Sequence, residues 1–156
     1  SVIATLEEEE DERNVIAVAS REPISIITIN SSRMLMAHGF LAKVFHIFDK
    51  YRVSVDVVTT SEVSVSVTVD TSEHQKEIVS ELREYGDVNV RSEQGLVTLV
   101  GRHFTDGRGI AKGIFSALPK IPVRMISQGN SDNNFTIVVD RHNVSEAVQS
   151  LHNSFF

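Results

Sequence analysis

Asp56 is an acid set between Val55 and Val57, in a run from Val53 to Thr59 whose β-branched residues read as a strand. Strand alternation puts it on the same face as Ser54 and Val58. A carboxylate inside a half-buried strand is costly unless it is paired. Two partners would serve: a neighbouring Lys or Arg, or the α-ammonium of a small ligand. A matching anion site is offered by Met34 to Leu41, a loop that opens a helix at Gly39. Free N–H groups at a helix start favour a carboxylate, and glycine lets the backbone come close. Together these features have the chemistry of a site for a free amino acid. Taken alone, the residues leave the ion-paired or solvated reading of Asp56 equally open.

Other chemistries find less support. The histidines at 38, 46, 74, 103, 142 and 152 show no metal spacing, and the chain has no cysteine. Thiolate metal sites, disulfide frameworks and cysteine nucleophiles are therefore excluded. No nucleophile elbow and no P-loop is present, so no catalytic and no metal-ligating residue is assigned. Gly107-Arg108-Gly109 fits only a loose version of a dinucleotide loop and reads as the entry to a helix. The six acids from Glu7 to Glu12 lack the spaced ligands and glycine turn of a calcium loop and read as a solvated linker. A net charge of −6 opposes a nucleic-acid footprint. No apolar run approaches the roughly 20 residues of a membrane span, and the acidic start is unlike a signal peptide. The expectation is a soluble cytoplasmic protein.

The elements that must position these residues follow from periodicity. Strands are expected at 14–19, 24–30, 53–59, 63–70, 88–91, 96–101, 123–128 and 135–140. Helices are expected at about 40–51, 72–85, 109–118 and 143–153. The clearest strand alternates Val63, Val65, Val67 and Val69 against Ser64, Ser66, Thr68 and Asp70. The clearest helix carries Leu41, Val44, Phe45 and Phe48 at helical spacing. Residues 24–91 thus read βαββαβ, and residues 96–153 read βαββα. Gly39 to Phe45 and Gly109 to Phe115 echo each other. A βαββαβ unit makes a four-stranded antiparallel sheet with two helices on one face, the ferredoxin-like arrangement. The second unit lacks its last strand, and 14–19 is left over. The economical solution is that 14–19 supplies it, so that the first unit is inserted within the second. The fold class is α+β, with a first domain at 21–93 and a discontinuous second at 14–20 plus 94–156. Residues 1–13 read as the end of a preceding catalytic domain and an acidic linker.

The segments Gly39-Phe40-Leu41-Ala42-Lys43-Val44-Phe45, Ser54-Val55-Asp56 and Thr59-Thr60-Ser61-Glu62-Val63-Ser64-Val65-Ser66 resemble the first ACT domain of the aspartate kinases. Ser127-Gln128-Gly129 is similar to a segment of that family's second domain. The resemblance implies two intertwined ACT domains that sense an end-product amino acid. It implies an effector site at or near Met34, Gly39, Phe40, Leu41, Ser54, Val55, Asp56, Thr60, Ser61 and Glu62. Lysine is the first expected effector. The lysine-sensitive enzymes carry His-Ser where this chain has Met36-Ala37, so threonine is the next. ATP and magnesium would belong to a kinase domain before Ser1, and the expected partners are that domain, the free amino acid and a second copy of the chain. Two alternatives are a free-standing amino-acid-binding ACT module and a purely dimerising domain.

Overall fold

The computed structural model describes residues 15–32, 38–70, 74–102, 110–129 and 133–156. Its elements, in chain order, are β1 (Val15–Asn30), α1 (Phe40–Lys50), β2 (Val55–Thr60), β3 (Ser64–Asp70), α2 (Gln75–Leu82), β4 (Asp87–Gly101), α3 (Ile110–Ser116), β5 (Val123–Ser127), β6 (Asn134–Asp140) and α4 (Val144–Phe155), with a 3-10 turn, Arg141–Asn143, before the last helix. The strand order is β2-β3-β1-β4-β6-β5. The pairs β1/β3, β2/β3 and β5/β6 are antiparallel.

Two separate four-stranded sheets were expected from the pattern, and this detail needs correction. Expected strands 14–19 and 24–30 are one 16-residue strand, and 88–91 and 96–101 are one 15-residue strand. The physical reason lies in what alternation reports. Residues 19–23 and 91–93 are exposed, so the hydrophobic signal lapses there. The backbone ladder does not need that signal, because its hydrogen bonds are made by peptide groups of any residue. β1 and β4 are long enough to serve two cores in turn.

The chain divides into two compact units, Glu22–Gly95 and Ser1–Arg21 with Leu96–Phe156. The core of Glu22–Gly95 joins Ile27 and Ile29 of β1, Val65, Val67 and Val69 of β3, Phe40, Val44, Ile47 and Phe48 of α1, and Ile78 and Leu82 of α2. The helix residues recur at i, i+4, i+7 and i+8, the stripe of a helix lying on a sheet. The alternating valines of β3 face it, as the period of two requires. Full burial of side chains such as Phe48 and Leu82 contributes about 1.5–3 kcal/mol each.

The other unit repeats the plan. Val97 and Leu99 of β4, Phe135, Ile137 and Val139 of β6, Ile114 of α3 and Val144, Ala147 and Leu151 of α4 form its core. Ile27, Val44, Val65 and Val67 have counterparts 70 residues on, at Val97, Ile114, Phe135 and Ile137, each buried in the second core. Gly39 and Gly109 stand at the same interval. No helix among the described residues is long and apolar enough to cross a membrane.

Candidate functional site

The start of α1 is built for close backbone approach. Gly39 occupies the N-cap position at φ 77°, in the left-handed region that glycine enters freely. Nothing lies within 4 Å of the position a Cβ would take there. The first helical bond runs from Lys43 N–H to the Gly39 carbonyl at 3.1 Å. The N–H groups of Phe40, Leu41 and Ala42 precede it and belong to the unsatisfied first turn. That turn carries no acid to compete for them. Phe40 is buried and meets the Tyr85 ring edge-on, with centroids 6.3 Å apart, so the helix start is anchored. Leu41 is exposed. Met34 lies outside the described residues.

Asp56 lies on β2, at an edge of the strand order. Strict alternation fails just there. The register steps from Val55↔Val69 to Val58↔Val67, so β2 holds one residue more than β3 over this stretch. This is a β-bulge, a device that re-aims side chains at sheet edges. Val57 is buried, and its N–H donates to the Thr68 hydroxyl at 2.9 Å. Asp56 is exposed, as are Ser54 and Val58, but the extra residue sets Val58, like Val55, opposite the core-facing valines of β3 and off the face of Asp56. The expected common face of Ser54, Asp56 and Val58 is broken by the bulge, and the carboxylate is exposed where a half-buried one was expected. The bulge turns Asp56 out, and the acid also takes part in a polar or electrostatic interaction of its own. Val55 is half-buried and packs against the core.

The corner between β2 and β3 is a hydroxyl-braced turn. Ser61 and Ser64 hydroxyls lie 2.7 Å apart, and Ser61 Oγ accepts from Ser64 N–H at 3.1 Å. Ser61 N–H donates to the Ser64 carbonyl at 2.9 Å. Ser61 is thus committed to holding the turn, while Thr60 and Glu62 stand exposed on either side of it. Ser31 N–H donates to the Val63 carbonyl at 2.7 Å, so this corner lies at the end of the unit where β1 gives way to the segment leading to Gly39.

The expected residues therefore fall into two groups. Gly39 to Leu41 belong to the N-terminal end of α1, and Thr60 to Glu62 to the sheet end served by Ser31. Ser54 and Val55 border a hollow with Asp49 and Arg52 at the C-terminal end of α1, and Asp56 follows directly. An 11-residue helix separates its two ends by about 16 Å. A free amino acid carries its carboxylate and ammonium on one carbon, so Gly39 and Asp56 of a single chain do not reach one such molecule together.

Two further features were not legible as a site in the sequence. One is the hollow at the end of α1. The other is a groove between α1 and α2 lined by Lys43, His46, Lys50, Glu81, Glu84 and Tyr85. There Lys50 Nζ donates to Glu81 Oε1 at 2.8 Å. The pairing holds the Glu81 carboxyl below its ordinary range, with a further contribution from Tyr51. Among the described residues, no three His, Asp or Glu side chains are placed to hold a metal ion.

The ACT domain family matches residues 97–155. The aspartokinase of Candida albicans is 36% identical over 146 residues, which is 90% of this chain and 27% of that protein. A structure described as a C-terminal regulatory domain of aspartate kinase from Porphyromonas gingivalis superposes with a TM-score of 0.80 at 37% identity, covering 90% of this chain and 96% of that one. The chain belongs to the regulatory region of the aspartate kinases. The Escherichia coli aspartokinase III crystallised with lysine and aspartate gives a TM-score of 0.81 at 35% identity over 91% of this chain and 33% of that one. The ACT-type regulatory chain thus spans less than a third of the length of the curated fungal relative it matches.

Proposed function

We propose that this regulatory chain binds an end-product amino acid and so lowers the rate at which an attached kinase domain phosphorylates aspartate with ATP. Lysine is the first candidate and threonine the second. In this reading ATP and its magnesium are held by the kinase domain, and the chain itself supplies no catalytic group. Two observations support lysine: the E. coli aspartokinase III structure was obtained with lysine and aspartate, and its fold matches this chain over 91% of the sequence.

The observation that carries the proposal is the placement of Asp56 on a bulged edge strand, one helix length from Gly39. The effector's ammonium goes to Asp56 and its carboxylate to the N–H groups of Phe40 to Ala42. Since one chain does not bring these groups together, two copies complete the site. A two-fold axis beside β2 sets two such strands antiparallel. It then brings the Ser54–Asp56 end of one copy to the Thr60–Glu62 end of the other. Val58 of β2 and Val63 just after it are large exposed apolar residues, and such a dimer would cover them. Binding across the contact favours the paired arrangement over any other by its differential affinity, which is what allosteric control requires.

Calorimetry of the chain with lysine, threonine, methionine and isoleucine tests the reading. Asp56→Ala should weaken the effector roughly ten- to a hundredfold, the loss of a charged hydrogen bond of about 1.5–3 kcal/mol. Light scattering should show a dimer. A monomer at every concentration, with and without amino acids, would defeat the shared site. An unchanged affinity in Asp56→Ala would remove Asp56 from it.

A further inference from the structure

The end of α1 carries two charged residues that the fold does not ask for. Arg52 follows the helix at φ 55°, in the left-handed region. Its N–H donates to the Asp49 carbonyl at 2.9 Å, and Val53 N–H donates to the Phe48 carbonyl at 3.0 Å. This is the bonding of a helix closed by a left-handed residue, a position where glycine is usual and a Cβ is unfavourable. Asp49 stands in the last turn of the same helix, where the negative end of the helix dipole disfavours a carboxylate. Both side chains are exposed, and neither makes a hydrogen bond or ion pair with a described residue. Both line one hollow of about 450 Å³, walled by Phe45, Phe48, Val53 and Val55 and bordered by Ser54.

The second core is an internal control. At the positions 70 residues on, Asp49 and Arg52 are replaced by Pro119 and Pro122, while the apolar positions around them keep their character. A unit of this plan closes its helix without either charge. Residues that break a local rule, lie unpaired and face the same hollow are expected where a ligand completes them.

We propose that this hollow is an amino-acid site in its own right, for a zwitterion with an apolar side chain: Arg52 takes the carboxylate, Asp49 the ammonium, and the Phe45, Val53 and Val55 wall the side chain. A guanidinium matches a carboxylate through two parallel N–H donations. The carboxylate of Asp49 and the nearby helix end both favour a cation. The site differs from the effector site proposed above, which uses Asp56 and the opposite end of α1. Ser54 and Val55 border both, so occupancy of one bears on the other.

The test is a calorimetric and amide-NMR titration of the chain with leucine, leucinamide and 4-methylpentanoate. Leucine should bind saturably and move the amide signals of residues 49–55. The two analogues, each lacking one charge, should bind at least about tenfold more weakly. Arg52→Gly should melt at the same or a higher temperature, because glycine suits the left-handed position, yet lose leucine at least about tenfold. Asp49→Asn should lose it likewise, and Asp56→Ala should keep it. The proposal is overturned if leucine does not bind the unaltered chain by about 10 mM. It is also overturned if Arg52→Gly and Asp49→Asn bind leucine normally, or if Asp56→Ala alone abolishes it. Lysine binding that fails while leucine binding follows this pattern would count against the effector site and not against this one.

Discussion

The hydroxyls of Thr28 and Ser66 lie 2.8 Å apart across β1 and β3, and those of Thr98 and Thr136 lie 2.9 Å apart across β4 and β6. Both pairs are 38 residues apart in sequence, and the second is displaced from the first by 70 residues. Each pair ties a central strand to its neighbour where water is partly excluded. Removing one hydroxyl leaves the other without its mate. Thr28→Val and Ser66→Ala should each cost about 0.5–1.5 kcal/mol, and the double substitution should cost less than their sum. The same should hold for Thr98→Val with Thr136→Val. Denaturant titrations of the two cycles check this, and strict additivity within a pair would show that the hydroxyls do not depend on each other.

Gly86 is required by close approach. A Cβ there would stand 2.3 Å from the Asn30 carbonyl oxygen and 3.0 Å from its carbon, both backbone atoms. Backbone does not yield as a flexible side chain does. Gly86→Ala should destabilise the Glu22–Gly95 unit by about 1–3 kcal/mol, measured by thermal unfolding. Gly129, where nothing lies within 4 Å, is the control: Gly129→Ala should change little.

Gly39 separates two effects that one substitution usually mixes. Its φ of 77° makes any Cβ unfavourable, by about 1–2 kcal/mol, although the space is open. Asparagine tolerates this conformation and asparagine and aspartate are nearly equal in size. Gly39→Asn and Gly39→Asp should therefore melt alike. Only the aspartate places an anion where the effector's carboxylate belongs, so it should bind the effector more weakly than the asparagine. Equal calorimetric affinities would remove the helix start from the effector site.

The Lys50–Glu81 pair links α1 to α2 and should be visible in the pH dependence of stability. Hydrogen bonding to Lys50 lowers the Glu81 pKa below its ordinary 4.5, and the same bond raises Lys50 above its ordinary 10.5. A carboxyl whose pKa is depressed by folding contributes stability above its unfolded value and loses it as pH falls through the folded one. The difference in melting temperature between the unaltered chain and Glu81→Gln should thus be present at neutral pH and shrink below 4.5. The side chains are 52% and 32% exposed, so added salt should narrow the difference as well. A difference that persists unchanged into acid would assign the effect to packing of the side chain.

What the sequence by itself determined is the set of elements and the repeat. The valines of β3 alternate because one face of a strand meets the core, and the helix stripes recur because every third or fourth residue does. These are local consequences of side-chain direction, so they survive in a one-dimensional record. Gly39 and Asp56 were legible for the same reason, as residues at odds with their neighbours. Tertiary structure decided the rest. The continuity of β1 through Arg21–Pro23 and of β4 through Ser92–Gly95 rests on backbone pairing, which hydrophobic alternation does not encode. The bulge that exposes Asp56 depends on the register against β3 and on the Thr68 hydroxyl that accepts from Val57. The separation of Gly39 from Asp56 follows from the direction in which α1 crosses its sheet. Asp49 and Arg52 look like ordinary surface charges until the helix end, the first residues of β2 and the hollow between them are folded into one place.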